Sequence, residues 1–227
     1  MNRQVLLCAV GIACLSASAA SGRLTPPQFD ATKFTGRAVV TNQYFPLAPG
    51  TTFVYTGLFG GQPSLTHVYV SHETKVILGI TCTVVKDSIW VNGTLEEATD
   101  DWYAQDVDGT VWYLGEYTTT FPTGSHEGSF QAGVKGAKAG IIMESEPEVG
   151  DTYRQEYFVG HAEDSATVIS LTESKCVPYG CYSGNLLETN EHTPIDPGVV
   201  EAKYYAPGIG LVQDGSVKLV KYGKRQP

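Results

Sequence analysis

Past residue 20 this 227-residue sequence has no long apolar run. Nothing there approaches the ~18 residues of a membrane-crossing helix, so no transmembrane segment is expected. Basic residues are few: 15 Lys and Arg stand against 24 Asp and Glu, a formal charge of -9. A surface that acidic repels phosphate backbones, which argues against nucleic acids and anionic membranes as partners. Helical patterning is missing as well, because no stretch of a dozen residues repeats its apolar positions at a period of about 3.6. The chain has neither a repeat at solenoid or propeller spacing nor a Gly-x-Ser-x-Gly elbow in an alternating strand and helix pattern. No glycine fingerprint sits in a strand-to-helix context, so no organic cofactor is indicated.

Cysteine is sparse too, and two of the five, Cys8 and Cys14, fall in a segment unlike the rest. Asn2 and Arg3 are followed by the nearly unbroken apolar run Val5 to Leu15 and then by Ser16-Ala17-Ser18-Ala19-Ala20. Basic start, short apolar core and small residues make a secretory signal, with cleavage after Ala19 or Ala20; a lipid anchor on Cys14 is the rival reading. The expected organisation is a signal peptide at 1–20, an extended Pro-rich entry segment at 21–50 and one antiparallel β domain at 51–227. The protein is then exported, periplasmic or extracellular, where disulfides persist. Cys176 and Cys181 flank a Pro-containing turn and are the favoured pair, with Cys82 bonded to one of them as the alternative. The odd thiol reads as a small core hydrophobe.

What the sequence does have is short runs rich in Val, Ile, Thr, Tyr and Trp, punctuated by Gly, Pro and Asn. TTFVYTGLF, SLTHVYVSHE, TKVILGITCTVVKDSIWV, TLEEATDDWYAQ, TVWYLGEYTTTF, DTYRQEYFVG, AEDSATVISL, VVEAKYYA and SVKLVKYG read as strands. Asn92-Gly93 and Asp108-Gly109 suit two-residue hairpin turns, which need positive φ. The fold class is all-β: a single antiparallel, strongly curved sheet, barrel or half-barrel, with little helix. AGVKGAKAG, residues 132–140, is the least strand-like part and reads as a loop. Strand alternation puts Trp102, Ala104 and Asp106 on one face and Asp101, Tyr103 and Gln105 on the other; Trp112 and Tyr113 likewise face opposite ways. Aromatics on both faces suit a sheet packed on a core on one side and covered on the other.

Three stretches, DWYAQDVDGTVWYLGE, VGDTYRQEYFVGHAED and KYYAPGIGLV, resemble a family of exported bacterial proteins of uncharacterised function, over roughly residues 40–215. YYAPGIGLV is also similar to the closing strands of envelope proteins built as a curved antiparallel half-barrel or barrel that holds apolar material. That second resemblance implies a fold and a style of binding.

Several constellations could carry chemistry. Arg154 and Glu156 share a strand face in DTYRQEYF, and an inward pair, with Glu116 and Asp101 brought near by curvature, would be a carboxylate site. His161, Glu163 and Asp164 could donate to a metal, as could His126 with Glu127, whereas His67 and His72 lie five apart on opposite strand faces. Asp106-Val107-Asp108-Gly109 lacks the Glu that would complete a calcium loop. Lys135 and Lys138 stand among glycines that could cradle an anion. The leading reading is a binding protein whose interior, lined by Trp102 or Tyr103, Trp112 or Tyr113, Tyr157 and Tyr205, accepts an apolar or amphipathic small molecule. A carboxylate-based hydrolase or lyase, metal-assisted in one version, is the alternative, and an envelope interaction protein without ligand the third.

Overall fold

The computed structural model describes residues 24–36 and 39–224. The signal peptide assigned to residues 1–20 lies outside the described residues. Fourteen strands follow in order: β1 (Thr51–Phe59), β2 (Gln62–Ile77), β3 (Ile80–Val91), β4 (Thr94–Gln105), β5 (Val111–Thr120), β6 (Phe130–Gln131), β7 (Lys138–Met143), β8 (Thr152–Arg154), β9 (Glu156–Tyr157), β10 (Ser165–Val177), β11 (Gly180–Thr193), β12 (Asp196–Ala206), β13 (Gly210–Asp214) and β14 (Val217–Lys224). The sole helical element among the described residues is a single turn at Ala31–Lys33.

All strands join one antiparallel sheet, in the order β8-β10-β11-β12-β13-β14-β1-β2-β3-β4-β5-β7-β9, with β6 beside β5. The ladder does not close on itself. Its two ends, β8 and β9, are nevertheless separated in sequence by Gln155 alone, so the sheet curls until both margins belong to one stretch of chain. The expected curved sheet is therefore present, with a covalent seam where a closed barrel would have a ladder. DTYRQEYFVG, expected as one strand, breaks at this seam. Close approach there needs Gly140, since a Cβ on it would lie 2.1 Å from the Gln155 carbonyl oxygen.

Tight reversals explain the meander. Gly60-Gly61 and Asn92-Gly93 adopt positive φ at both positions and join β1 to β2 and β3 to β4, as two-residue turns that match strand twist do. Leu78-Gly79 does the same, with φ of 52° and 81°. TKVILGITCTVVKDSIWV is thus two strands; an apolar leucine in the first turn position hides the break. Asp108-Gly109 sits in a wider loop, where Asp106 Oδ1 accepts from the backbone N–H groups of Asp108 and Thr110, each at 3.0 Å. Opposite it, a bulge at Trp102/Tyr103 places Trp102 across from Gly115, whose φ of 139° and contact with the Phe130 backbone leave no room for a side chain. Residues 132–140 are only partly loop, since Lys138 onwards forms β7.

Two cores result. The inner one draws on strands from all round the sheet: Phe53, Tyr55, Val70, Val85, Tyr103, Tyr113, Leu187, Tyr205, Val212 and Leu219. The outer one is local to β2–β5 and β7, and holds Ile77, Ile80, Cys82, Val84, Trp102, Trp112 and Leu114. The entry segment serves both. Phe29 and Phe34 cover the outer core, with Phe29 edge-on to Trp112 at 5.2 Å. Full burial of such a ring is worth about 1.5–3 kcal/mol, and these two partly buried rings supply a fraction of that each. Val40 and Leu47, paired by a bridge, enter the inner core instead, and Phe45 meets Tyr103 at 5.2 Å. The second half of this extended segment plugs one end of the interior because its apolar residues cluster there. Asn42 fastens the plug by donating to the Gly109 and Glu144 carbonyls.

Candidate functional site

From the plugged end outward, the inner face changes character in the same direction on every strand around the site. On β4 the inward positions read Tyr103, Asp101, Thr99, Glu97; on β5 Tyr113 gives way to Glu116 and Thr118. On β11 they read Leu187, Thr189, Glu191, and in register on β12 Tyr205, Lys203, Glu201. Period-two alternation is what aligns these rows, each step moving two residues further from the plug except on β5, where the bulge makes the step from Tyr113 to Glu116 three. The tyrosines pack tightly at the apolar end, where Tyr103 and Tyr113 stack at 4.7 Å.

The polar middle is a hydrogen-bonded belt. Tyr113 donates its hydroxyl to Asp101 at 2.5 Å and also lies 3.0 Å from Glu116, so two carboxyls meet at one phenol. Burial, reinforced by the Glu116 charge, pushes the Asp101 carboxyl well above the usual range. On β3, burial and then Glu97 raise Asp87 to about 7. Across the interior, Glu191 holds Lys203 at 2.6 Å, accepts from the Gln155 amide at 2.8 Å, and lies 3.4 Å from the Tyr205 hydroxyl. Asp214 lies 3.6 Å from the same lysine. Burial disfavours the Lys203 charge, but Asp214 and Glu191 outweigh it and hold the ammonium ionised. Burial raises Asp214 itself to about 7, against the pull of Lys203.

Beyond this belt lies a cavity of about 490 Å³, bounded by the β11–β12 hairpin and the residues just after β9. Glu127, Glu156, Asp164, Glu191, Asp196 and Glu201 line it, with Lys203, His161 and His192. Buried side-chain atoms with no partner in the chain concentrate on the inner face: Asp87 Oδ1, Tyr153 OH, Gln155 Oε1, Thr189 Oγ1 and Asp214 Oδ1.

The residues singled out in the sequence separate. Asp101 and Glu116 come together, and Glu156 reaches the cavity wall. Arg154 joins neither: its guanidinium pairs at 3.1 Å with Glu163, both side chains at most 3% exposed, and its Nε donates to the Glu156 carbonyl. Glu163 also accepts from the Gly160 N–H at 2.7 Å. The trio His161, Glu163 and Asp164 therefore does not gather as metal ligands, because Glu163 is turned into this buried pair while His161 stacks, exposed, on Phe158. Among the described residues no group of three or more His, Cys, Asp or Glu is placed to hold a metal ion.

Of the aromatic pairs, Tyr103 and Tyr113 face inward with Tyr205, whereas Trp102 and Trp112 face the outer core. Neither tryptophan lines the interior, because the entry segment covers that face. Tyr157 is half-buried at the seam, with the Arg154 and Lys138 cations each 5.3 Å from its ring. Lys135 is exposed in a positive-φ turn, and neither lysine lines the cavity. The Cys176–Cys181 disulfide is formed at the β10–β11 turn, and Cys82 is free and buried. His126 bonds Tyr117 and the Thr118 carbonyl, while Glu127 lines the cavity.

Glu191, Lys203, Gln155, Asp87, Asp214 and Glu201 were not anticipated. The signal for Glu191, Glu201 and Lys203 is the carboxylate and lysine alternation in LLETNE and VVEAKYY. It was masked because β11, with Gly, Asn and Ser throughout, carries little of the β-branched composition by which strands are recognised. No family model, curated protein or solved structure matches this chain at a significant level.

Proposed function

We propose that this chain is an exported binding protein that holds an amphipathic small molecule in the interior of its curved sheet. The observation carrying the reading is the graded inner face: tyrosines at the plugged end, then charged and hydrogen-bonding side chains, then an open cavity of about 490 Å³. That volume suits a small organic ligand. Gln155, Thr189 and Tyr153 on the inner face keep buried polar atoms without a partner in the chain, which a bound polar group or water would satisfy. Export is supported by the leader-like first twenty residues and by the Cys176–Cys181 bond, which persists in oxidising compartments. The test is native mass spectrometry of protein recovered from its own host, followed by solvent extraction. A stoichiometric small-molecule adduct released by extraction supports the reading; an adduct-free protein that also fails to bind any amphiphile overturns it. Amino-terminal sequencing of the same sample should begin near Ser21.

One observation favours a second reading, a carboxylate-based hydrolase. Asp101 and Glu116, sharing the Tyr113 hydroxyl, set a carboxyl whose proton affinity burial raises beside a second carboxyl, the pairing that general acid and base catalysis uses. Turnover of pooled glycosides or esters that disappears in Asp101→Asn would support it.

A further inference from the structure

We infer that Tyr117 and His126 form a nucleophilic pair on the outer face of the sheet, where the Tyr117 hydroxyl accepts an acyl group from an activated ester or thioester. On β5 Tyr117 lies between Glu116 and Thr118, which face inward, so strand alternation turns it outward, and it is 50% exposed. The inference is independent of the binding reading.

The turn after β5 brings the imidazole to the phenol. The Thr120 N–H donates to the Ser125 carbonyl at 2.9 Å, and the Gly124 N–H donates to the Thr120 carbonyl at 2.8 Å. Ser129 ties the far side of the turn to the strand, its hydroxyl accepting from the Thr118 N–H at 2.9 Å and donating to the Thr118 carbonyl at 3.3 Å. His126 is thereby stacked on Tyr117 with ring centres 4.5 Å apart.

The two ring nitrogens have unlike partners. Nδ1 is 2.8 Å from the Thr118 carbonyl oxygen, which only accepts, so Nδ1 carries the proton. Nε2 of the neutral ring is then the acceptor, and it lies 3.0 Å from the Tyr117 hydroxyl, which donates to it. Hydroxyl, imidazole and an orienting acceptor follow one another in the order by which a base activates a hydroxyl nucleophile.

The acyl transfer balances without a cofactor. Tyr117 Oη attacks the acyl carbon, and the phenol proton passes to His126 Nε2 as that bond forms. The bond to the leaving oxygen or sulfur then breaks, and the leaving group takes the proton from Nε2. The products are an aryl ester on Tyr117 and a free alcohol or thiol. Charge favours an acyl donor over a phosphoryl one, because Asp100 stands opposite Tyr117 across the ladder and Glu127 follows His126, so a polyanionic donor would be repelled.

Tyr179 supplies a control within the same chain. It is 41% exposed, but its ring meets the edge of Tyr222 in place of an imidazole. The test incubates the full chain with p-nitrophenyl acetate and maps acetylated residues over time by peptide mass spectrometry. Tyr117 should be acetylated at least about tenfold faster than Tyr179. His126→Gln, at an exposed position, should slow Tyr117 to the Tyr179 rate while leaving Tyr179 and the circular dichroism spectrum unchanged. Equal rates at the two tyrosines in the unmutated protein overturn the inference. So does a Tyr117 rate that His126→Gln leaves untouched, or acetyl that settles on His126 and never reaches Tyr117.

Discussion

Asp101 and Glu116 stand opposite one another across β4 and β5, and both meet the hydroxyl of Tyr113. Two carboxyls at one phenol cannot both ionise cheaply, and burial already disfavours the charge on Asp101. The same economy governs Asp87 and Asp214, each raised to about 7 by burial.

Stability should consequently fall as pH rises from about 4 to about 7. In that window the unfolded chain has released the protons of Asp87 and Asp214 while the folded chain still holds them, so alkali favours unfolding. Urea midpoints measured at pH 5 and pH 8 should place the pH 5 sample higher. Asp87→Asn should flatten the difference and stabilise the protein at pH 8. A midpoint that climbs with pH contradicts the assignment.

Glu163→Gln should cost about 3–5 kcal/mol, because it leaves the buried Arg154 cation without a counter-charge. The double replacement Arg154→Met with Glu163→Leu should recover most of that loss, as read from denaturant midpoints. If the single variant is neutral, the pair is not the tie that holds residues 158–164 to the seam.

Gly140→Ala tests the seam itself. The added methyl would sit 2.1 Å from the Gln155 carbonyl oxygen and 2.7 Å from that of Arg154, and backbone on both sides cannot yield as a side chain tip can. A loss above about 3 kcal/mol is expected, or failure to fold. Gly61→Ala, with nothing within 4 Å of its new carbon but φ of 74°, should cost about 1–2 kcal/mol from backbone strain alone.

Replacing both Cys176 and Cys181 by Ser should lower stability by about 2 kcal/mol, since only a short turn is closed and both residues are exposed. In the native protein Cys82 should resist thiol reagents until unfolding. It is fully buried in the outer core, and burial pushes its thiol up to about 12.

The fold was legible wherever backbone chemistry is written in residue type. Asn92-Gly93 announces its turn, and the alternation in DWYAQ and VWYL assigns side chains to opposite faces. Leu78-Gly79 was illegible because half the turn is apolar, and β11 because its strand is held by neighbours on both sides and by composition hardly at all. For the site, sequence could pair Asp101 with Glu116 through curvature. It could not say which aromatic of each Trp-Tyr couple faced inward, because that depends on Phe29 and Phe34 arriving from about 70 residues away to cover the other. Glu191 and Glu201 face one another only after β11 and β12 pair in a particular register, a fact of hairpin geometry that local composition does not encode.

Gln155 is the single residue between the two margins of the sheet. Were β8 to peel from β10, the tension would pass through one peptide unit to β9 and loosen its hold on β7. Neither margin can fray alone. The meanders on either side of that residue are thereby yoked into a single melting unit, and hydrogen exchange along β7 and β10 should report one common opening event in place of two.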